Sequence, residues 1–126
     1  MITASLKNYR QSPRKVRLVA TLVKGKNVND AINTLNFLPK RATGPLTTLL
    51  KSAIANAKNN FNIEKDGLFI KEFRVDAGQV LKRRMPRARG SAYPIHKRTS
   101  HVRLVLAPRE ESTSKKITKA NKASTK

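Results

Sequence analysis

The sequence predicts an α+β fold: three helices packed on a three-stranded antiparallel sheet, with a long protruding β-hairpin and a basic C-terminal tail. Three observations predict it. An alternating apolar stretch opens the chain and two more lie near its end, with three stretches of helical apolar spacing between them. The last two strands are separated by residues 79–103, which hold eight Lys and Arg and no acid. From Ser112 onward the chain is Ser, Thr, Lys, Ala and Asn with one Ile, too little apolar surface to fold by itself. The 126 residues therefore divide into a single domain over 1–111, including the extended hairpin 79–103, and a flexible tail over 112–126.

The elements follow in order. Ile2, Ala4 and Leu6 alternate with Thr3, Ser5 and Lys7, a half-buried strand over 2–7. Ser12-Pro13 opens the first helix, with Ser12 as N-cap and Pro13 at the first helical position. Val16, Val19, Ala20 and Val23 form its apolar stripe, Arg14, Arg17, Thr21 and Lys24 its opposite face, and Gly25 stops it. Asn27 caps a second helix, with Asp30 as a weak capping-box partner; its stripe is Val28, Ala31, Ile32, Leu35 and Leu38, and Pro39 ends it. The third helix starts at about Arg41 or Pro45 and runs to Asn60, with Leu46, Leu49, Leu50, Ala53, Ile54 and Ala57 inward. Its Ala53, Ala55 and Ala57 suggest close packing, and Asn59-Asn60 and Asp66-Gly67 mark the following loop. Leu68-Phe69-Ile70, Phe73, Val75 and Ala77 read as a strand, as do Val102, Leu104 and Leu106.

The charge is what bears on function. With 28 Lys and Arg against 7 Asp and Glu, the chain carries +21, so the expected partner is a polyanion. Lys82, Arg83, Arg84, Arg87, Arg89, Lys97 and Arg98 crowd two arms of roughly 79–89 and 91–101, with Gly90 supplying the positive φ of the reversal. Each arm reaches on the order of 30 Å at about 3.3 Å per residue. A two-stranded ribbon is marginal in water, and like charges across it weaken it further. The free hairpin is therefore expected to be mobile, and phosphates around it reverse the balance by pairing the cations and releasing counterions. Arg outnumbers Lys there and suits bidentate phosphate contacts, while Tyr93, His96, Met85 and Pro86 interleave to pack on sugars or bases. The reading is a probe inserted into folded RNA; the alternatives are a basic loop without a fixed partner and a nonspecific nucleic-acid-binding architectural protein.

Catalysis finds few candidates. There is no Cys, hence no disulfide, thiolate metal site or thiol nucleophile. His96 and His101, five apart on a strand, point to opposite faces and make no metal pair. Ser100, His101 and Asp76 offer no oxyanion hole, and Gly44-Pro45 and Gly25-Lys26 lack the spacing of a phosphate loop. The expectation is no enzyme, no cofactor and no metal. No apolar run reaches the ~20 residues of a membrane span, and Met1 to Leu6 lack the apolar block of a signal peptide, so no membrane and a cytoplasmic location are expected.

Several motifs in order carry a family resemblance: Ser12-Pro13-Arg14-Lys15, Gly25-Lys26, Ser52-Ala53-Ile54-Ala55-Asn56-Ala57, Lys82-Arg83-Arg84-Met85-Pro86-Arg87-Ala88-Arg89-Gly90 and Lys97-Arg98-Thr99-Ser100-His101-Val102. From about Leu6 to Val105 the chain resembles the bacterial large ribosomal subunit protein 22 family. The resemblance implies a body seated near the exit of the polypeptide tunnel and a hairpin reaching inward through ribosomal RNA. It implies 23S-type large-subunit RNA, neighbouring large-subunit proteins and the nascent polypeptide as partners of a chain that is monomeric within the ribosome, bacterial or organellar. It implies RNA contacts by Arg10, Ser12, Arg14, Lys15, Lys97, Arg98, Thr99, Ser100 and His101, beside the hairpin cations, His96 and the Arg17 face of the first helix. It implies a tunnel-lining tip of Arg84, Met85, Pro86, Arg87, Ala88, Arg89, Gly90, Ser91, Ala92 and Tyr93, and an early role in assembly. Thr43-Gly44-Pro45 and the tail beyond Glu111 depart from the family pattern.

Overall fold

A computed structural model describes residues 1–108. The expected tail over 112–126 lies outside the described residues. The element order is β1 (Ile2–Tyr9), α1 (Pro13–Val23), α2 (Val28–Phe37), α3 (Thr43–Phe61), β2 (Leu68–Pro86) and β3 (Ala92–Pro108), with short 3-10 turns at Lys65–Gly67 and Ala88–Gly90. The strands form one antiparallel sheet in the order β1-β3-β2, and the three helices are the expected ones.

Each helix forms where its stripe and its ends agree. In α1, Val16, Val19, Ala20 and Val23 are buried. Ser12 holds the N-cap position in extended geometry, but its hydroxyl makes no capping bond; its carbonyl accepts from the N–H groups of Lys15 at 3.1 Å and Val16 at 3.2 Å. Gly25 ends the helix at φ +79°, a left-handed conformation that costs glycine little. Its N–H donates to the Ile70 carbonyl, and Ile70 N–H donates back to Lys26, which fastens the turn to β2. In α2, Val28, Ala31 and Leu35 are buried. The Asn27 amide meets the Asp30 carboxylate at 3.4 Å, a side-chain contact in place of the expected capping box.

The start of α3 resolves at Thr43, between the two expected positions. Thr43-Gly44-Pro45 is simply its first turn, where a proline forfeits no helical hydrogen bond. The Thr43 hydroxyl donates to the Lys40 carbonyl at 2.7 Å. Ala53 and Ala57 are fully buried, whereas Ala55 is exposed on the opposite side, so only two of the three alanines serve close packing. Asn59 and Asn60 belong to the last helical turn rather than to a loop; the helix ends at Phe61, and Asn62 caps it in the left-handed conformation, with φ 51°.

All three helices lie on one face of the sheet. Leu46, Leu50 and Val16 meet Ile70, Phe73, Val75, Val102, Leu104 and Leu106 in a single core. Burying each large aliphatic side chain contributes about 1.5–3 kcal/mol. β3 takes the centre because it is the strand apolar enough to be flanked on both edges; even Val105, on the face the helices leave open, is buried.

Candidate nucleic-acid interface

β2 and β3 continue past the body as a two-stranded ribbon. Their register runs unbroken from Val80↔Arg98 through Lys82↔His96 and Arg84↔Pro94 to Pro86↔Ala92. Seven such pairs project roughly 23 Å at about 3.3 Å each. No Asp or Glu occurs between Asp76 and Glu110, so the ribbon has no acid of its own. Every residue from Lys82 to Pro94 is exposed. At the tip, Arg87 N–H donates to the Ser91 carbonyl at 2.9 Å, and the Ser91 hydroxyl donates to Ala88. Gly90 has the expected positive φ, 72°, and Arg89 shares the conformation at 60°. The Arg87 guanidinium stands 5.9 Å from the Tyr93 ring centroid.

The body narrows from three strands to two at Thr99–His101, and two β-bulges shape that neck. In β2, Gly78 and Gln79 together face Thr99, because Ala77 pairs with Ser100 and Val80 with Arg98. In β1, Lys7 and Asn8 together face His101, because Leu6 pairs with Val102 and Tyr9 with Ser100. Bulges bend the strand and raise its twist, so the ribbon's direction is set here. Asn8 adopts φ 55°, and its N–H donates to His101 Nδ1 at 3.1 Å. The Thr99 hydroxyl donates to the Gln79 carbonyl at 2.7 Å, on the bulge itself.

Residues far apart in sequence meet at this neck. β1 ends opposite Ser100, and α1 starts four residues later before running back toward Gly25 and its bond to Ile70. Arg10, Arg14 and Lys15 are therefore exposed at the end of the body from which the ribbon departs. Arg17 Nε donates to the Val75 carbonyl at 3.0 Å, tying α1 to β2. Arg98 follows Ser100 and Val102 on the helix side of β3, so α1's cations and the ribbon's base share one corner.

The other expected contact residues divide by exposure. Lys97, Arg98 and His96 are exposed, and Ser12 and His101 are half-buried. Thr99 and Ser100 are buried. Ser100 Oγ, beneath the helices, has no hydrogen-bond partner among the described residues. The side chains of Thr99 and His101 thus tie the two bulges of the neck together. Gly78, Gln79 and Asn8 were not singled out by sequence. The one signal was a slip in apolar parity, from Val75 and Ala77 to Val80.

One phenol sits nearby. Burial raises the Tyr9 pKa above the usual tyrosine value, and Arg41 partly opposes this. Its hydroxyl reaches the Arg41 carbonyl at 3.5 Å. His96 and His101 lie five apart on regular β3 and so face opposite ways, as expected.

The profile of ribosomal protein L22p/L17e matches residues 4–107. Large ribosomal subunit protein uL22 of Desulfitobacterium hafniense is 52% identical over 102 residues, covering 81% of this chain and 90% of that protein. The uL22 of Caldicellulosiruptor saccharolyticus is 51% identical over 108 residues, covering 86% and 88%. That of Deinococcus radiodurans is 52% identical over 104 residues, covering 82% and 78%. The match spans body, neck and ribbon alike, and the chain belongs to the ribosomal protein L22p/L17e family.

Proposed function

We propose that the chain is a structural constituent of the large ribosomal subunit, ribosome-bound in the cytoplasm, that binds large-subunit RNA through its ribbon and the adjoining corner of the body. One observation carries the reading: an exposed, acid-free ribbon of cations that no other described part of the chain covers. Such a surface gains most from phosphates, since each Lys or Arg that pairs releases a counterion. Arg10, Arg14, Lys15 and Arg98 grip the RNA at the neck, and Lys82, Arg83, Arg84, Arg87 and Arg89 along the ribbon. Arg17, held by Val75, steadies α1 beneath them. Recognition is by phosphate neutralisation and shape rather than by a groove code.

On this reading the tip, Arg84 to Tyr93, faces the polypeptide tunnel and the nascent chain, the body sits beside neighbouring large-subunit proteins, and one copy serves each ribosome. The whole of 1–108 acts as one unit with a projecting arm, and the family is a structural one in which no catalytic step is called for. The test is salt dependence. If about 6–10 phosphates are neutralised, affinity of the full chain for large-subunit RNA falls by roughly 10³–10⁵ between 50 and 200 mM salt. A flat response overturns the reading, and so does equal binding to duplex DNA of matched length.

A further inference from the structure

The register of the ribbon sorts its side chains into two faces, because directly opposed residues of an antiparallel pair point the same way. On the helix side lie Lys82, Arg84, His96 and Arg98, continuous with the cationic corner at the start of α1. On the other side, the pairs Leu81↔Lys97, Arg83↔Ile95 and Met85↔Tyr93 place four apolar residues in a zigzag: Leu81, Ile95, Met85 and Tyr93. Diagonal neighbours along it are within reach of long side chains. Leu81 and Ile95 are half-buried, while Met85 is 46% and Tyr93 60% exposed. Lys97 and Arg83 border the zigzag on alternate edges, and Arg87 stands over the Tyr93 ring at its outer end.

We infer that this stripe is a base-binding surface: unstacked bases of single-stranded large-subunit RNA lie on this one face of the ribbon, on Tyr93, Met85 and Ile95, while Lys97, Arg83 and Arg87 hold the phosphates at the stripe's margins and the turn beyond them, Ala88 to Ser91, is left to face the tunnel. The inference rests on the RNA reading above and divides it between two faces. An apolar strip edged by cations matches a splayed strand, whose bases offer flat faces and whose phosphates run alongside. A duplex offers phosphates without exposed base faces and fits the helix-side face instead. The Arg87–Tyr93 contact adds a guanidinium plane on which a base can also stack. The sequence shows Tyr93 and Met85 interleaved with charges; only the pairing shows that they share a face with Ile95 and Leu81 and that His96 and Pro86 do not.

The test compares two variants of the full chain in binding to transcribed large-subunit RNA across 50–200 mM salt. One is Met85→Ala with Tyr93→Ala; the other is Lys82→Gln with Arg84→Gln. All four residues are exposed and outside the core, so unchanged melting serves as the folding control. The apolar pair is expected to weaken binding about tenfold or more at every salt concentration, with the salt slope kept. The cationic pair is expected to lower the slope by about 1 for each charge removed. Tyr93→Trp retains affinity. Wild-type affinity in the apolar pair, or a loss of slope equal to that of the cationic pair, overturns the stripe while the RNA reading stands. A wild-type chain without any salt slope fails the RNA reading first and the stripe with it.

Discussion

Thr99 Oγ1 lies 2.5 Å from where a side-chain carbon on residue 78 would stand, and His101 Nε2 lies 3.1 Å from the same point. The glycine of the β2 bulge is therefore fixed by its neighbours on β3. Gly78→Ala must push Thr99 away and break its bond to Gln79. The expected cost is about 1–3 kcal/mol, a fall in Tm of roughly 4–8 °C per kcal/mol for a body of this size. Pairing it with Thr99→Ala removes the clash, so the double variant should be less destabilised than the sum of the singles. Strict additivity in thermal melts would count against this packing.

Asn8 makes the matching contact on the other edge. Its φ of 55° is tolerated by Asn and Gly and strained for a β-branched residue. Asn8→Gly should leave stability nearly unchanged, and Asn8→Val should cost about 1–2 kcal/mol. Urea unfolding reads the difference; equal midpoints for the two variants would remove the argument.

The alanines of α3 offer a contrast within one helix. Ala53→Leu overfills a fully buried site and should cost about 1–3 kcal/mol. Ala55→Leu, on the exposed side, should stay within about 0.5 kcal/mol. Similar losses in both would mean that the helix presents a different face to the sheet.

Removing Arg83 to Ser91 takes away exposed residues only, so the body should keep its cooperative melting transition. In the intact free chain, amides beyond Val80 should exchange with solvent much faster than those of β3 between Val102 and Leu106, because an isolated two-stranded ladder is marginal and this one carries like charges. Protection of the ribbon equal to that of the core, with no polyanion present, would contradict the separation of body and arm. Loss of the whole transition on deletion would do the same.

Much of the fold was legible in the residues because it depends on one segment at a time. The stripe Val16, Val19, Ala20 and Val23 specifies a helix face whatever lies opposite, and Gly90 specifies a reversal. What was not legible depends on a partner across the sheet. The bulges at Gly78-Gln79 and Lys7-Asn8 exist only relative to Thr99 and His101. For the same reason, exposure along the motif from Lys97 to His101 could not be read from its composition. Thr99 and Ser100 are as polar as any surface pair, yet one is used by a bulge and the other lies under the helices. Ser12 and Asn27 occupy the cap positions their residue types favour without their side chains accepting the capping bond from a helix N–H that usually accompanies them.

The placement of β3 between β1 and β2 bears on how the chain is made. Neither outer strand pairs with the other along its length; both wait for residues 92–108. At ribosomal synthesis rates of about 5–20 residues per second, β1 spends roughly 5–20 s without its neighbour. The sheet closes only once β3 has been made, and its pairings are almost all long-range, the kind that slows folding. A nascent copy thus emerges with its N-terminal strand still seeking a mate, a window in which a chaperone has something to hold.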